Sequence, residues 1–373
     1  MTILNVTLKN LEWAAANIEM PLNKVVSKIT SSPKNQSRIL EGSLTIKEAE
    51  KFSQITKIPF GYLFLENPPK SERIIIPDLR QKPNPEPLSE NFYDVLKDIK
   101  LKHEWYLDYI KEIEVEPLNF VGKFDNNASY EDIALDICNV LDLPINPKSR
   151  KEREGYFTSL IERCEQARIL VFRSGVVGSN NKKILDIDEF RGFVLTHKLA
   201  PAIFINLQDS PSARIFTLIH ELAHIWLGQN GIDDLHIDAK DDIEILCNRV
   251  AAEVLVPQKV FKRKWDELEG NIYNLSDYFG VSKIVIARVA LTLSYMSKSE
   301  YMDNYHRDQF IDRNKRSQIN GGDYYRNALG KNTLALSRAV FNKAMSGGIT
   351  LREAGKVLGM NPQSVMVLGE NYI

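Results

Sequence analysis

Residues 216–227 read FTLIHELAHIWL, and three of them could do chemistry together. His220 and His224 are four apart, so on a helix both imidazoles project from one face, a turn from each other. Two neutral ring nitrogens in that arrangement can take two corners of a tetrahedral Zn²⁺ site. Glu221, beside the first histidine, could accept a proton from a water that the ion acidifies toward pKa ~7, leaving a nucleophile for a carbonyl carbon. His-Glu-x-x-His has three fixed positions and also arises by chance on ordinary helices. The flanks weigh against chance: Phe216, Leu218, Ile219, Leu222, Ala223, Ile225 and Trp226 mark a largely buried helix. Burying two histidines and a glutamate without a partner would cost several kcal/mol, roughly 2–7 per uncompensated polar group. A metal removes much of that cost.

Three residues compete as the third ligand. A His six residues after His224 would give the metzincin pattern, but that position is Asn230. His236 lies in GIDDLHIDAK, which reads as a loop and could reach back. Glu244 follows His224 after nineteen intervening residues, on the next expected helix, which is the gluzincin arrangement. Glu253 lies nine positions beyond Glu244, about half a turn out of phase, and should face away. Asn248, one turn after Glu244, could hydrogen-bond a ligand and fix its orientation.

The elements that must position these residues follow from caps and periodicity. Ser210-Pro211 offers a capping hydroxyl and a proline at the first helical position, so a helix is expected from about Pro211 to Leu227, stopping at Gly228. A second should run from roughly Asp241 to Leu255, before Pro257. ARILVF, FRGFVL and PAIFIN, upstream of the motif, have strand length and composition. Residues 90–113 are amphipathic at helical spacing, with Phe92, Val95, Leu96 and Ile99 as a stripe. Further helices are expected at 130–142 and 151–167. Residues 8–65 read as short helices, with a capping box at Thr45–Glu48. The Pro-rich 81–89 reads as a linker, as does the polar 298–322. Leu275–Ser294 has a helix–turn–helix look, more in keeping with a packing unit of the catalytic core than with a DNA reader. Thr350–Glu353 is another capping-box candidate.

These patterns give an α+β, mostly helical fold: an all-α N-terminal module at 1–70, a helical connection at 71–150, a metallopeptidase core with a small sheet at 151–297, and a helical C-terminal region at 298–373. The chain has 373 residues, 43% hydrophobic and 26% charged, with a formal net charge of −1. That is ordinary for a globular protein and argues against coating nucleic acid or membrane by bulk charge. Cys138, Cys164 and Cys247 are scattered, with no C-x-x-C pair, so neither a disulfide framework nor a thiolate zinc knuckle is indicated. The first residues lack the layout of a secretion signal, and no apolar run approaches the ~20 residues that span a bilayer. The expectation is a soluble, cytoplasmic protein.

FTLIHELAHIWL followed by IEILCNRVAAEVLVP resembles the ImmA/IrrE-type metallo-endopeptidases. The matching positions are His220, Glu221, His224, Glu244, Asn248, Ala251, Ala252 and Pro257, with Arg214 just upstream. The resemblance is specific over roughly 210–257 and weaker over 150–209, and it favours Glu244 as third ligand. It implies a zinc endopeptidase that cleaves a helix–turn–helix repressor, with Glu221 as general base. Longer members begin with a phage-repressor-like module, and residues 8–66 look like a degenerate version. There Leu40-Glu41-Gly42 stands at a characteristic site, IPFGYLFLENPP resembles the closing segment, and IPDLR (76–80) the stretch that follows. By that likeness Lys34, Asn35, Gln36 and Arg38 would open a recognition helix. Residues 1–70 carry nine basic and six acidic side chains, only a mild excess for DNA. The competing reading is a DNA-binding regulator or antitoxin-like partner of a toxin, with the zinc fold mainly as scaffold. The intact Glu221 discriminates, because a scaffold has no need of it. For oxyanion stabilisation the sequence offers only His236, His197 and Tyr156.

Overall fold

The computed structural model describes residues 3–16, 20–56, 58, 60–65, 88–143, 153–229, 231–233, 242–304 and 323–373. The chain divides into two compact units, Met1–Ile75 and Ile76–Ile373. His236, the Pro68-Pro69 boundary, IPDLR and most of both expected linkers lie outside the described residues.

The N-terminal unit holds helices α1 (Leu8–Ala16), α2 (Leu22–Ile29), α3 (Pro33–Leu40) and α4 (Ile46–Thr56) around Leu11, Val25, Val26, Ile39, Leu44, Phe52 and Leu63. It is not all-α as the sequence suggested. Strand β1 (Ile3–Asn5) pairs antiparallel with β2 (Ser43–Thr45). Three-residue strands carry too little alternation to be read, and Thr45 also starts α4. There its amide donates to Glu48 at 2.7 Å and its hydroxyl accepts from the Glu48 amide at 3.3 Å, which completes the expected capping box. Gly42 enters β2 at φ +87, and a Cβ there would sit 2.2 Å from the Val6 carbonyl oxygen. Only glycine fits that turn.

The second unit is built on a four-stranded sheet of β3 (Leu170–Ser174), β6 (Gly192–Leu195), β7 (Ala202–Asn206) and β8 (Gly231–Asp233), in the order β3-β7-β6-β8. β3 and β7 are parallel, and β6 runs antiparallel to both its neighbours. A hairpin of β4 (Val176–Val177) and β5 (Asn180–Ile184) leaves its edge. β3, β6 and β7 are buried on both faces, and their side chains alternate between two cores. Val171, Val194, Ile203 and Ile205 join one core with α6 (Tyr130–Val140), α7 (Arg153–Gln166), α8 (Pro211–Leu227), α9 (Asp242–Leu255), α10 (Gln258–Glu267), α11 (Ile272–Phe279) and α12 (Lys283–Thr292). Leu170, Phe172, Phe193 and Phe204 join the other, with α5 (Glu90–Glu112) and the helices at 334–345, 351–358 and 362–371. Leu275, Phe279, Val285 and Ile286 of α11 and α12 sit in the first core, so this helix–turn–helix is a packing unit.

α8 is anchored at both ends. The Ser210 hydroxyl accepts from the Ala213 amide, Pro211 follows, and Gly228 closes the helix at φ +68. The Arg214 guanidinium donates to the carbonyls of Asp209 and Leu207 at 2.8 and 2.6 Å. At the far end the segment before α6 supplies donors for orphan carbonyls, from Gly122 N to Ile225 O at 3.0 Å and from Phe124 N to Trp226 O at 3.1 Å. Phe120 stacks on Trp226 at 4.4 Å between centroids, and the indole N–H donates to Asp136.

On α5, His103 is buried and its Nε2–H donates to the Ala200 carbonyl at 2.7 Å. Burial lowers its pKa from 6.5 to about 4, against the pull of that hydrogen bond. The unfolded chain therefore takes up this proton first as pH falls. The resulting stability is complete above about 6.5 and is lost progressively down to about 4. It should amount to roughly 3 kcal/mol at neutral pH. Denaturant unfolding at pH 7 and pH 4.5 should show the loss, and His103→Leu should reduce it. An unchanged pH dependence in that variant would refute the assignment.

Candidate metal centre

Helices α8 and α9 bring His220, His224 and Glu244 to one point, each offering one donor atom within 4.8 Å of the others. The two Nε2 atoms are 3.0 Å apart. Glu244 spans them, with Oε2 3.2 Å from His220 Nε2 and Oε1 3.2 Å from His224 Nε2. Two tetrahedral ligands at ~2.05 Å from a common zinc would be about 3.3 Å apart, so these separations are close to those the ion requires. All three residues are buried. The chemistry of the donor set points the same way: two imidazole nitrogens face each other across a carboxylate, among buried apolar residues. The residues fit a zinc ion.

Electrostatics within the cluster is consistent. Burial pushes the Glu244 carboxyl upward, but His220 and His224 outweigh that, and its pKa lies well below the usual carboxylate range. Glu244 therefore stays ionised, the form in which a carboxylate can coordinate a metal. Asn248, four residues on and on the same face of α9, places its Oδ1 3.1 Å from His220 Nδ1. That oxygen accepts from Nδ1–H, which fixes the tautomer and turns the Nε2 lone pair toward the centre. Asn248→Ala should weaken zinc affinity about 10–100-fold without unfolding the protein. A chelator competition titration would measure this, and equal affinity would remove Asn248 from the assembly.

The other candidates lie elsewhere. The Glu253 carboxylate accepts from the Gln258 amide at 3.3 and 3.4 Å, at the start of α10. His197 lies 6.2 Å from His103, ring to ring. Tyr156 packs against the helical core, and burial raises its hydroxyl to about 12. In the N-terminal unit, the Arg38 guanidinium donates to both Glu48 oxygens at 2.7 and 2.8 Å and to the Ser43 carbonyl. Gln36 donates to the Thr30 carbonyl, Asn35 is half-buried, and Lys34 is exposed.

Sequence reasoning passed over Gly192, on β6. It packs against Glu221, and a Cβ there would meet the carboxylate. The available signal was a lone glycine inside a strand pattern, which often marks a close approach.

Two stretches match protein families. Residues 164–290 match a peptidase family model described as the IrrE N-terminal-like domain. This part of the chain is similar to ImmA/IrrE-type domains. The match begins on α7, runs through the sheet and the metal cluster, and ends on α12, so it takes in both walls of the candidate centre. The IrrE-like domain is of a metallopeptidase kind, and a peptidase implies a protein substrate. Residues 334–371 match a domain of unknown function, and these are the helices that cover the other face of the sheet. Neither match reaches the N-terminal unit. None of the curated proteins and none of the solved structures compared with the chain matches it. Among the described residues no helix is long and apolar enough to cross a membrane.

Proposed function

We propose that the protein is a zinc-dependent endopeptidase whose substrate is a helix–turn–helix transcriptional repressor. The observation that carries the reading is the convergence of His220, His224 and Glu244 beside Glu221, inside a domain of a peptidase family. A bound zinc would supply Lewis acidity, polarising the scissile carbonyl and bringing the pKa of a water toward about 7. Glu221 takes a proton from that water as its oxygen attacks the carbonyl carbon. It then passes the proton to the amide nitrogen as the C–N bond breaks, releasing a carboxylate and an amine. Asn248 holds His220 in register throughout. The buried α8 keeps these groups fixed, so little reorganisation is required during reaction.

The alternative is a DNA-binding regulator or antitoxin-like partner that uses the zinc fold as scaffold. In its favour, α2 and α3 are joined by only Thr30–Ser32, a helix–turn–helix spacing. Against it, Arg38 and Gln36 are already engaged within their own module. Incubating the product of the neighbouring gene with the zinc-loaded protein, and mapping fragments by mass spectrometry, separates the two readings. A single cut that chelation abolishes is the expected result. Binding without a cut would favour the scaffold.

A further inference from the structure

We infer that Gly192 is a positioning residue for Glu221, its missing side chain being the socket in which the carboxylate sits. This rests on Glu221 acting as the base. Gly192 is not among the glycines with positive φ, so its backbone does not demand glycine; the space does. A Cβ built there would lie 2.7 Å from Thr217 Cγ2, 2.9 Å from Glu221 Oε1 and 2.9 Å from the Phe204 carbonyl oxygen. Real Cβ atoms essentially never approach heavy atoms below 3.0 Å, so something must move.

What moves can be decided from the surroundings. The Phe204 carbonyl belongs to β7, which is locked in register with β6 on one side and β3 on the other. Thr217 is buried on α8, one turn before Glu221, and its short β-branched side chain has only two χ1 rotamers open to it in a helix. α8 itself is held at both ends by Arg214 and by the Gly122–Phe124 segment. Glu221 has three side-chain torsions, so of the three neighbours its carboxylate alone is the far end of a long flexible side chain. A methyl group at position 192 therefore displaces the carboxylate, with smaller shifts of Thr217 and of β6 against β7 to relieve the other two contacts, while His220, His224 and Glu244 stay in place. Val194, two residues along β6, points toward the same helices but is ordinary core.

The test is Gly192→Ala in the zinc-loaded full-length chain, read in two ways. Its crystal structure should show the metal ligands unmoved and the Glu221 carboxylate rotated out of its wild-type site. A carboxylate still in place would overturn the proposal, whether or not the protein cleaves anything. If the variant does not fold, Gly192→Ala combined with Thr217→Ser, which removes the tightest contact, serves for the same comparison. In cleavage of the neighbouring gene's product, kcat should fall about 100-fold with KM unchanged, as a displacement near 1 Å can cause. Adding the substitution to Glu221→Gln should cost nothing more, because both act through one group. Val194→Ala should lower thermal stability with kcat unaltered. An unchanged kcat in Gly192→Ala, or a full additional loss in the Glu221→Gln background, would overturn the assignment. Absence of cleavage by the wild type would count against the endopeptidase reading alone, with the crystal structure still deciding the position of Glu221.

Discussion

Glu221→Gln is expected to leave the fold and the zinc content intact and to lower peptide cleavage by about 10²–10⁴-fold. The amide is nearly isosteric with the carboxylate, so packing in the fully buried middle of α8 survives. Its neighbours Leu218, Ile219, Leu222 and Ile225 are buried too, each contributing roughly 1.5–3 kcal/mol of burial, and none of these contacts is lost. What disappears is the ability to take a proton from the attacking water. Cleavage assays at equal zinc occupancy would check this. If the cellular role survives the substitution unchanged, catalysis is not the function and the scaffold reading stands.

The second large effect concerns the metal. His220→Ala, His224→Ala and Glu244→Ala should each abolish stoichiometric zinc binding, because a site of three protein ligands cannot lose one and keep high affinity. Each variant loses the stabilisation that bound zinc gives the folded wild type, so each should destabilise the protein more in the presence of zinc than in its absence. Metal analysis with thermal unfolding, each with and without zinc, would show the pattern. Zinc retained in Glu244→Ala alone would move the third ligand to another residue.

Much of this arrangement could be read from the sequence, for identifiable reasons. The limits of α8 follow from Ser210, Pro211 and Gly228, local signals that need no tertiary information. Helical spacing put His220 and His224 on one face, and Glu244 with Asn248 on another. The packing of α8 against α9, which makes these faces meet, depends on contacts distant in sequence. The third ligand therefore stayed among three candidates until a family likeness favoured one. Strands β6 and β7 were visible because they are runs of buried apolar residues. β1, β2 and β8 were not, since three residues cannot establish a period and their pairing partners lie far along the chain. Nor could any pattern show that α5 and the helices at 334–371 cover the far face of the sheet. Gly192 was missed because what matters there is the absence of an atom. Arg38 looked available for DNA because its partner Glu48 lies ten residues away, across β2.

His220, His224 and Glu244 are expected to hold one zinc ion with a position left for water. Zinc-edge X-ray absorption on the full-length protein, loaded to about one ion per chain, tests it most directly. The expected result is two imidazole nitrogens at about 2.0–2.1 Å and oxygen donors at about 2.0–2.2 Å, with no sulfur. A sulfur shell near 2.3 Å, or a protein that cannot be loaded stoichiometrically, would contradict it.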